Sequence, residues 1–333
     1  MKHKPYSPYV KERETLDNGF SKGWGFHFQP SEEYVIDCHV HFRVQGTDKA
    51  EITETLDRWF YETEASRQQK LLAIVQDKAQ FEVMREIGEA DTRLHWLFWP
   101  QPDEPDLDAI KRSIALGACG LKLHNHRIMK GEVPFDVWET PEWQEIFAYL
   151  NEHKIPVLWH VTQRVSYSPY HGGGYNPYFT EGHAKGVYVT NEQLLAQYCS
   201  IMDRYPDIPM VAAHQLYLGL DRLGALLDKY PQLMLDTTVG FYVRRDDVMY
   251  EEDREIYYDF VMKYADRFMF GTDTDLRLDA VGPYQFEAYH CHLRFIHQLR
   301  LPYEELQMLL YKNCERVFSL PPSTSHRKYN ARP

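Results

Sequence analysis

The strongest constraint on the fold is the regular return of short apolar runs separated by amphipathic stretches. The runs are YVIDCHVHF (34–42), LLAIVQD (71–77), RLHWLFWP (93–100), ACGLKLHN (118–125), IPVLWHV (155–161), IPMVAAHQ (208–215), LMLDTTV (233–239) and RFMFGTD (267–273). Between them, segments such as PEWQEIFAYLNEH, NEQLLAQYCSIMDRY and LDRLGALLDKY repeat their apolar residues at helical spacing. Apolar runs with little polar alternation are what parallel strands need when both faces are covered. Eight strand–helix units in 333 residues therefore predict a single α/β domain, a (β/α)8 TIM barrel. A doubly wound open sheet would want a glycine-rich phosphate turn after an early strand. The stretch after His41, FRVQGTDKA, has one glycine and no GxGxxG.

The barrel is expected over residues 34–320, after an N-terminal arm (1–33) that lacks a hydrophobic period and before a short C-terminal tail (321–333). LPYEELQMLLYKNCERVFSL reads as helices closing the barrel. Forty-nine acidic against 37 basic residues give a net charge of −12, which repels nucleic-acid phosphates and anionic membranes. No apolar run reaches the length needed to cross a bilayer. Five cysteines without CxxC spacing read as free thiols, and MKHKPYSPYV has no apolar leader core, so a cytoplasmic location is expected.

Chemistry is concentrated where the predicted strands end. His39 and His41 lie two apart, so on a strand they point the same way and can converge on one ion. Asp37 shares their parity and is expected to accept an imidazole N–H or to support the strand end. His160 ends the fifth strand, His214 the sixth and Asp273 the eighth, while Lys122 lies on the fourth. The carboxyl ends of barrel strands carry the chemistry of this fold. Several imidazoles and a carboxylate suit zinc, with manganese or iron(II) as alternatives.

DCHVH, GLKLH, the histidines of strands five and six, FGTDTD and KNCERVF together resemble the amidohydrolase superfamily, and more narrowly its amidohydrolase-2 branch, the aminocarboxymuconate-semialdehyde decarboxylase-like group of hydrolases, decarboxylases and hydratases. The resemblance spans residues 34–320. It implies one divalent metal held by His39, His41, His160 and Asp273, with His214 beside the bound water. In dinuclear relatives a carboxylated lysine bridges two metals, and Lys122 stands at that place. Ala213-His214-Gln215-Leu216-Tyr217 departs from the pattern, because bulky residues follow the histidine where glycines are usual.

A metal that acidifies water makes hydroxide available to attack a polarised carbonyl, with Asp273 taking the proton and His214 bonding the oxyanion or sharing that proton. Lys122 reads as an ordinary strand lysine, as a cation for a substrate carboxylate or, carboxylated, as a bridge. Arg43, Arg245 and Arg277 follow strand ends and suit a substrate carboxylate; His124 and Tyr175 are further substrate-binding candidates. Tyr175 lies in the tyrosine-rich segment 162–190, which is expected to cover the barrel mouth as a lid. The expected function is metal-dependent hydrolysis of a small polar carbonyl compound such as an amide or lactone. The same residues would serve non-oxidative decarboxylation or hydration of a small carboxylic acid, and an inactive binding barrel is a third reading. The aromatic arm and the resemblance point to a homo-oligomer.

Overall fold

A computed structural model of the chain describes residues 34–63, 68–163, 177–238, 251–276, 289, 293 and 296–323. The N-terminal arm, residues 164–176 of the expected lid with Tyr175 among them, Arg245, Arg277 and residues 324–333 lie outside the described residues.

Nine parallel strands form one sheet in the order β8-β7-β6-β5-β4-β3-β2-β1-β9. They are β1 (Val35–Phe42), β2 (Gln68–Val75), β3 (Leu94–Phe98), β4 (Leu121–His124), β5 (Val157–His160), β6 (Met210–Ala212), β7 (Leu233–Asp236), β8 (Phe268–Met269) and β9 (Thr274–Leu276). The two strands at the ends of that order, β8 and β9, are halves of one interrupted strand, so the eight expected strands close into a barrel. Across the interruption Cys38 N–H donates to Phe270 O at 2.9 Å and Asp273 N–H to His39 O at 2.8 Å, which seals the seam.

The intervening helices include α1 (Lys49–Glu62), α2 (Phe81–Ala90), α3 (Leu107–Ala115), α4 (Pro141–His153), α5 (Pro177–Ala184), α6 (Asn191–Arg204), α7 (Leu220–Lys229) and α8 (Glu251–Lys263). Their starts are written locally. The Asp48 carboxylate accepts from Ala50 N and Glu51 N before α1. Thr190 and Gln193 form a reciprocal cap before α6, and Pro141 opens α4, where a missing N–H costs nothing. Trp143, Ile146, Phe147 and Leu150 of α4 are buried and form its apolar stripe. No described helix is long and apolar enough to cross a membrane. The four described cysteines are free thiols.

The strands pack closely enough to dictate individual residues. A Cβ on Gly120, just before β4, would lie 2.6 Å from the backbone oxygen of Pro156, the acceptor for Leu121 N–H. Gly120→Ala is therefore expected to separate β4 from β5 locally and to lower stability by roughly 1–3 kcal/mol. Urea denaturation of the two proteins measures this, and an unchanged midpoint would show that the seam can give.

Candidate metal centre

β1 brings His39 and His41 to the barrel's carboxyl end on one face, with ring centroids 5.3 Å apart. The third member of the group arrives from the break between β8 and β9. There the backbone passes so near β1 and β7 that a Cβ on Gly271 would meet Cys38 Sγ at 3.1 Å, His39 Cβ at 3.2 Å and Asp236 Cβ at 3.3 Å. Two residues on, Asp273 takes a left-handed conformation (φ 58°), which aspartate tolerates better than most residues. Its Oδ1 lies 3.1 Å from His39 Nε2 and 2.9 Å from His41 Nε2. One ligand atom from each of these three residues falls within 4.8 Å of the others, an arrangement that can hold a metal ion.

Two buried aspartates divide the supporting work, and Asp37 takes the second of its two expected roles, support of the strand end. Asp37 holds no imidazole N–H. It accepts from Thr272 Oγ1 at 2.6 Å and from the backbone N–H groups of Thr272 and His39 at 3.1 Å each, so it ties β1 to the segment that carries Asp273. His39 Nδ1 is instead held by Asp236 Oδ2 at 2.7 Å. Asp236 was missed as a site residue, although LMLD ends the seventh strand with the only acid of that run. It accepts there because the closed barrel sets β7 beside β8 and brings both against β1.

The other expected residues are distributed around this group. Lys122 is fully buried and its Nζ is 2.9 Å from His39 Nε2. His160 stands one step away from the three-residue group: its Nδ1 lies 3.0 Å from His214 Nε2 and its Nε2 2.9 Å from Gln163 Oε1. His214 Nε2 is 3.7 Å from Asp273 Oδ2. His124 stacks on His160 with centroids 4.0 Å apart, and Trp99 stacks on the other side of His124 at 5.6 Å. Trp99, unforeseen as a site residue, also approaches His41 at 5.4 Å. Arg43 is at the strand end as expected, but its Nε donates to Asp275 Oδ1 at 2.8 Å. β6 ends at Ala212, earlier than expected, and His214 through Tyr217 follow as four consecutive left-handed residues (φ 58°, 47°, 57° and 49°) with no glycine among them. Gln215 Nε2 donating to Asp236 O and Thr162 Oγ1 donating to Leu216 O pin this turn.

The family model described as Amidohydrolase matches residues 36–320, the whole barrel. The chain belongs to the amidohydrolase family. Solved structures share the fold at low identity. An uncharacterized TIM-barrel protein from Bordetella bronchiseptica is 13% identical, with a TM-score of 0.56 over 86% of this chain and 99% of that one. A 2,6-dihydroxybenzoate decarboxylase from Rhizobium is 14% identical, with a TM-score of 0.54 over 86% of this chain and 99% of that one. A dihydroxybenzoic acid decarboxylase from a Polaromonas species, solved with bound manganese and the inhibitor 2-nitroresorcinol, is 13% identical, with a TM-score of 0.54 over 87% of this chain and 98% of that one. No curated protein matches the chain.

The donors of the chain fit the divalent metal on which the family depends. With its Nδ1 against the Asp236 carboxylate, His39 presents Nε2 as a lone pair, and two imidazole nitrogens with a carboxylate oxygen are borderline donors for zinc, manganese or iron(II). Lys122 shares the His39 lone pair, and burial, against the pull of Asp273 and Asp236, brings its ammonium down to about 8. A cation and Lys122 thus compete for one nitrogen.

Burial dominates the imidazoles. It depresses His41 to about 4 and His160 to about 3, and holds His124 and His214 well below the ordinary value. Two groups run the other way. Burial raises Asp37 to about 7. Burial and Lys122 push His39 down, but Asp273 and Asp236 outweigh them and it rises. A histidine depressed in the folded chain takes up protons first in the unfolded chain, so stability falls as pH drops through about 6.5 toward the folded values. Asp37 alone would make the protein more stable on acidification over the range between an ordinary carboxylate and about 7. Four imidazoles outweigh Asp37 and His39 together. In chelator-treated protein the urea midpoint is expected to be lower at pH 5 than at pH 7, and an equal or higher midpoint at pH 5 would show that these rings are charged when folded.

Proposed function

We propose that this amidohydrolase is a metal-dependent hydrolase of small polar carbonyl compounds, amides or lactones, working with one zinc ion at His39, His41 and Asp273. The observation that supports this reading is the convergence of those three donors within 4.8 Å at the mouth of the barrel. When bound, the ion would supply Lewis acidity, polarising a carbonyl and acidifying water. The residues of the chain do the rest. Asp273, 30% exposed and held on one oxygen by both histidines, turns its other oxygen toward His214 and is placed to accept a proton and return it to a leaving group. His160 lies beside His214 and serves as a further ligand if its ring swings from Gln163 toward the ion. Lys122 is the nearest buried cation and would draw an anionic group of the substrate toward the centre. Arg43 and His124 line the same end, and we assign Arg245, Arg277 and Tyr175 to substrate binding from their sequence positions.

A second reading, non-oxidative decarboxylation of a small carboxylic acid, draws support from the buried cation at Lys122 and from the dihydroxybenzoate decarboxylases that share the fold. Substrate panels separate the two. Protein purified without added metal is expected to carry about one equivalent of zinc per chain, and the His39→Ala plus His41→Ala variant to carry none. Lactones and N-acyl compounds should then be turned over, with Asp273→Asn lowering kcat by about 100-fold or more. Carbon dioxide released from aromatic acids, with no turnover of the carbonyl panel, would replace hydrolysis by decarboxylation. Full metal retention in the double variant would remove the site itself.

A further inference from the structure

Asp236 touches more than one ring of this centre. Its Oδ2 meets His39 Nδ1, while its Oδ1 accepts from His214 N–H at 2.8 Å, from Thr238 Oγ1 at 2.7 Å and from Thr238 N–H at 3.3 Å. Thr238 Oγ1 in turn lies 2.8 Å from His214 Nδ1. We propose that Asp236 is a positioning residue which, acting through the Thr238 hydroxyl, fixes the proton of His214 on Nδ1 and leaves its Nε2 lone pair bare toward His160 and Asp273.

Donor counting carries the inference. Two backbone N–H groups, that of His214 shared with Thr238 Oγ1 at 3.1 Å, donate to Asp236 Oδ1 while His39 Nδ1 faces Oδ2, so donors surround the carboxylate and Oδ1 acts as an acceptor. The 2.7 Å contact between Thr238 Oγ1 and the same oxygen needs a proton, and only the hydroxyl can provide it. A threonine hydroxyl has one proton, so toward His214 Nδ1 its oxygen can only accept. His214 must supply the N–H there. With that proton on Nδ1, a neutral ring keeps a lone pair on its second nitrogen. That nitrogen lies 3.0 Å from His160 Nδ1, which must therefore carry the proton between them. His160 Nε2 is then an acceptor, and a half-turn of the Gln163 amide places its NH2 group where an acceptor needs it. One buried carboxylate thereby orders three imidazoles: His39 directly, His214 through Thr238, and His160 through His214.

The alternative order fails on the same count. If His214 carried its proton on Nε2, Thr238 would have to donate to Nδ1, and its oxygen would face Asp236 Oδ1 at 2.7 Å with no proton between them. Two bare oxygens at that distance in a dry interior are strongly repulsive. The catalytic meaning rests on the proposed hydrolase: His214 Nε2 accepts from His160, and it cannot donate to an oxyanion until it has first taken a proton. The tautomer itself rests on geometry alone.

The experiment reads the proton directly. Full-length protein labelled with 15N at histidine, both as purified and after chelation, is examined by two-bond nitrogen–proton correlation NMR, with His214→Gln identifying the His214 signals. The expected result is a neutral His214 bearing its proton on Nδ1 in the wild type, the same pattern in Thr238→Ser, and loss of that pattern with appearance of an Nε2–H form in Thr238→Val. An Nε2–H form in the wild type overturns the proposal, as does an unchanged His214 in Thr238→Val. Should Thr238→Val fail to fold, the wild-type spectrum decides by itself. Because the readout needs no substrate, a protein that proves to be a decarboxylase leaves this result standing, and a wrong tautomer leaves the hydrolase reading to be judged by its own assays.

Discussion

The centre depends on one close approach, that of the 270–273 backbone to β1. Gly271 leaves just enough room for the chain to pass between the side chains of Cys38, His39 and Asp236, and any Cβ there would be crowded by all three. Because the crossing is that close, Cys38 and His39 can bond to the backbone of Phe270 and Asp273, and the barrel closes. The same crossing delivers the Asp273 carboxylate onto two imidazoles. Barrel closure and assembly of the donor group are therefore one event, and a residue that widens this seam would disturb both. Asp37 reinforces the seam by gripping Thr272 with both carboxylate oxygens, a use of a buried acid that is worthwhile only because every contact is a donor.

Crowding imidazoles together in a dry barrel mouth has an electrostatic consequence. Each ring that stays neutral keeps a lone pair, and lone pairs are what a divalent cation requires. Burial supplies that neutrality without any specific partner, since it disfavours the charged form of every histidine it encloses. His39 is the exception because two carboxylates flank it, and it is also the ring whose lone pair already has a cationic neighbour in Lys122. A bound metal ion would place positive charge between Asp273 and Asp236, the two carboxylates that raise His39.

Much of this was legible in the sequence, because the relevant signals are local. The alternation of apolar runs with helical periods marked all eight barrel strands, and strand parity placed His39 and His41 together. What parity could not supply was which neighbour meets which ring. Asp37 and His39 share a face by spacing, but side chains two apart on a strand run parallel, whereas the His39 Nδ1 edge points across the barrel to β7, where Asp236 waits. Residues far apart in the chain gave no signal of that meeting. His160 illustrates the same limit: its strand end was foreseen, yet its ring is turned aside to His214 and Gln163 by contacts that only the closed barrel creates. The turn after β6 was foreseen only as unusual. Its four left-handed non-glycine residues each cost about 1–2 kcal/mol in isolation, and they persist because Asp236 and Thr162 hold the turn from both sides.

The members of the centre differ in exposure, and the left-handed turn contributes to that difference. His39, Lys122 and Asp236 are fully enclosed and His214 nearly so, whereas the Asp273 side chain keeps 30% of its surface open. Tyr217, the last residue of the left-handed turn, stacks on His214 with centroids 5.0 Å apart and covers one face of the ring. On the opposite flank, the stacked rings of Trp99, His124 and His160 form a wall whose faces are occupied by one another. The described residues thus leave the donor group open chiefly at Asp273, the one carboxylate that both histidines hold, and enclose Lys122 and Asp236 behind it.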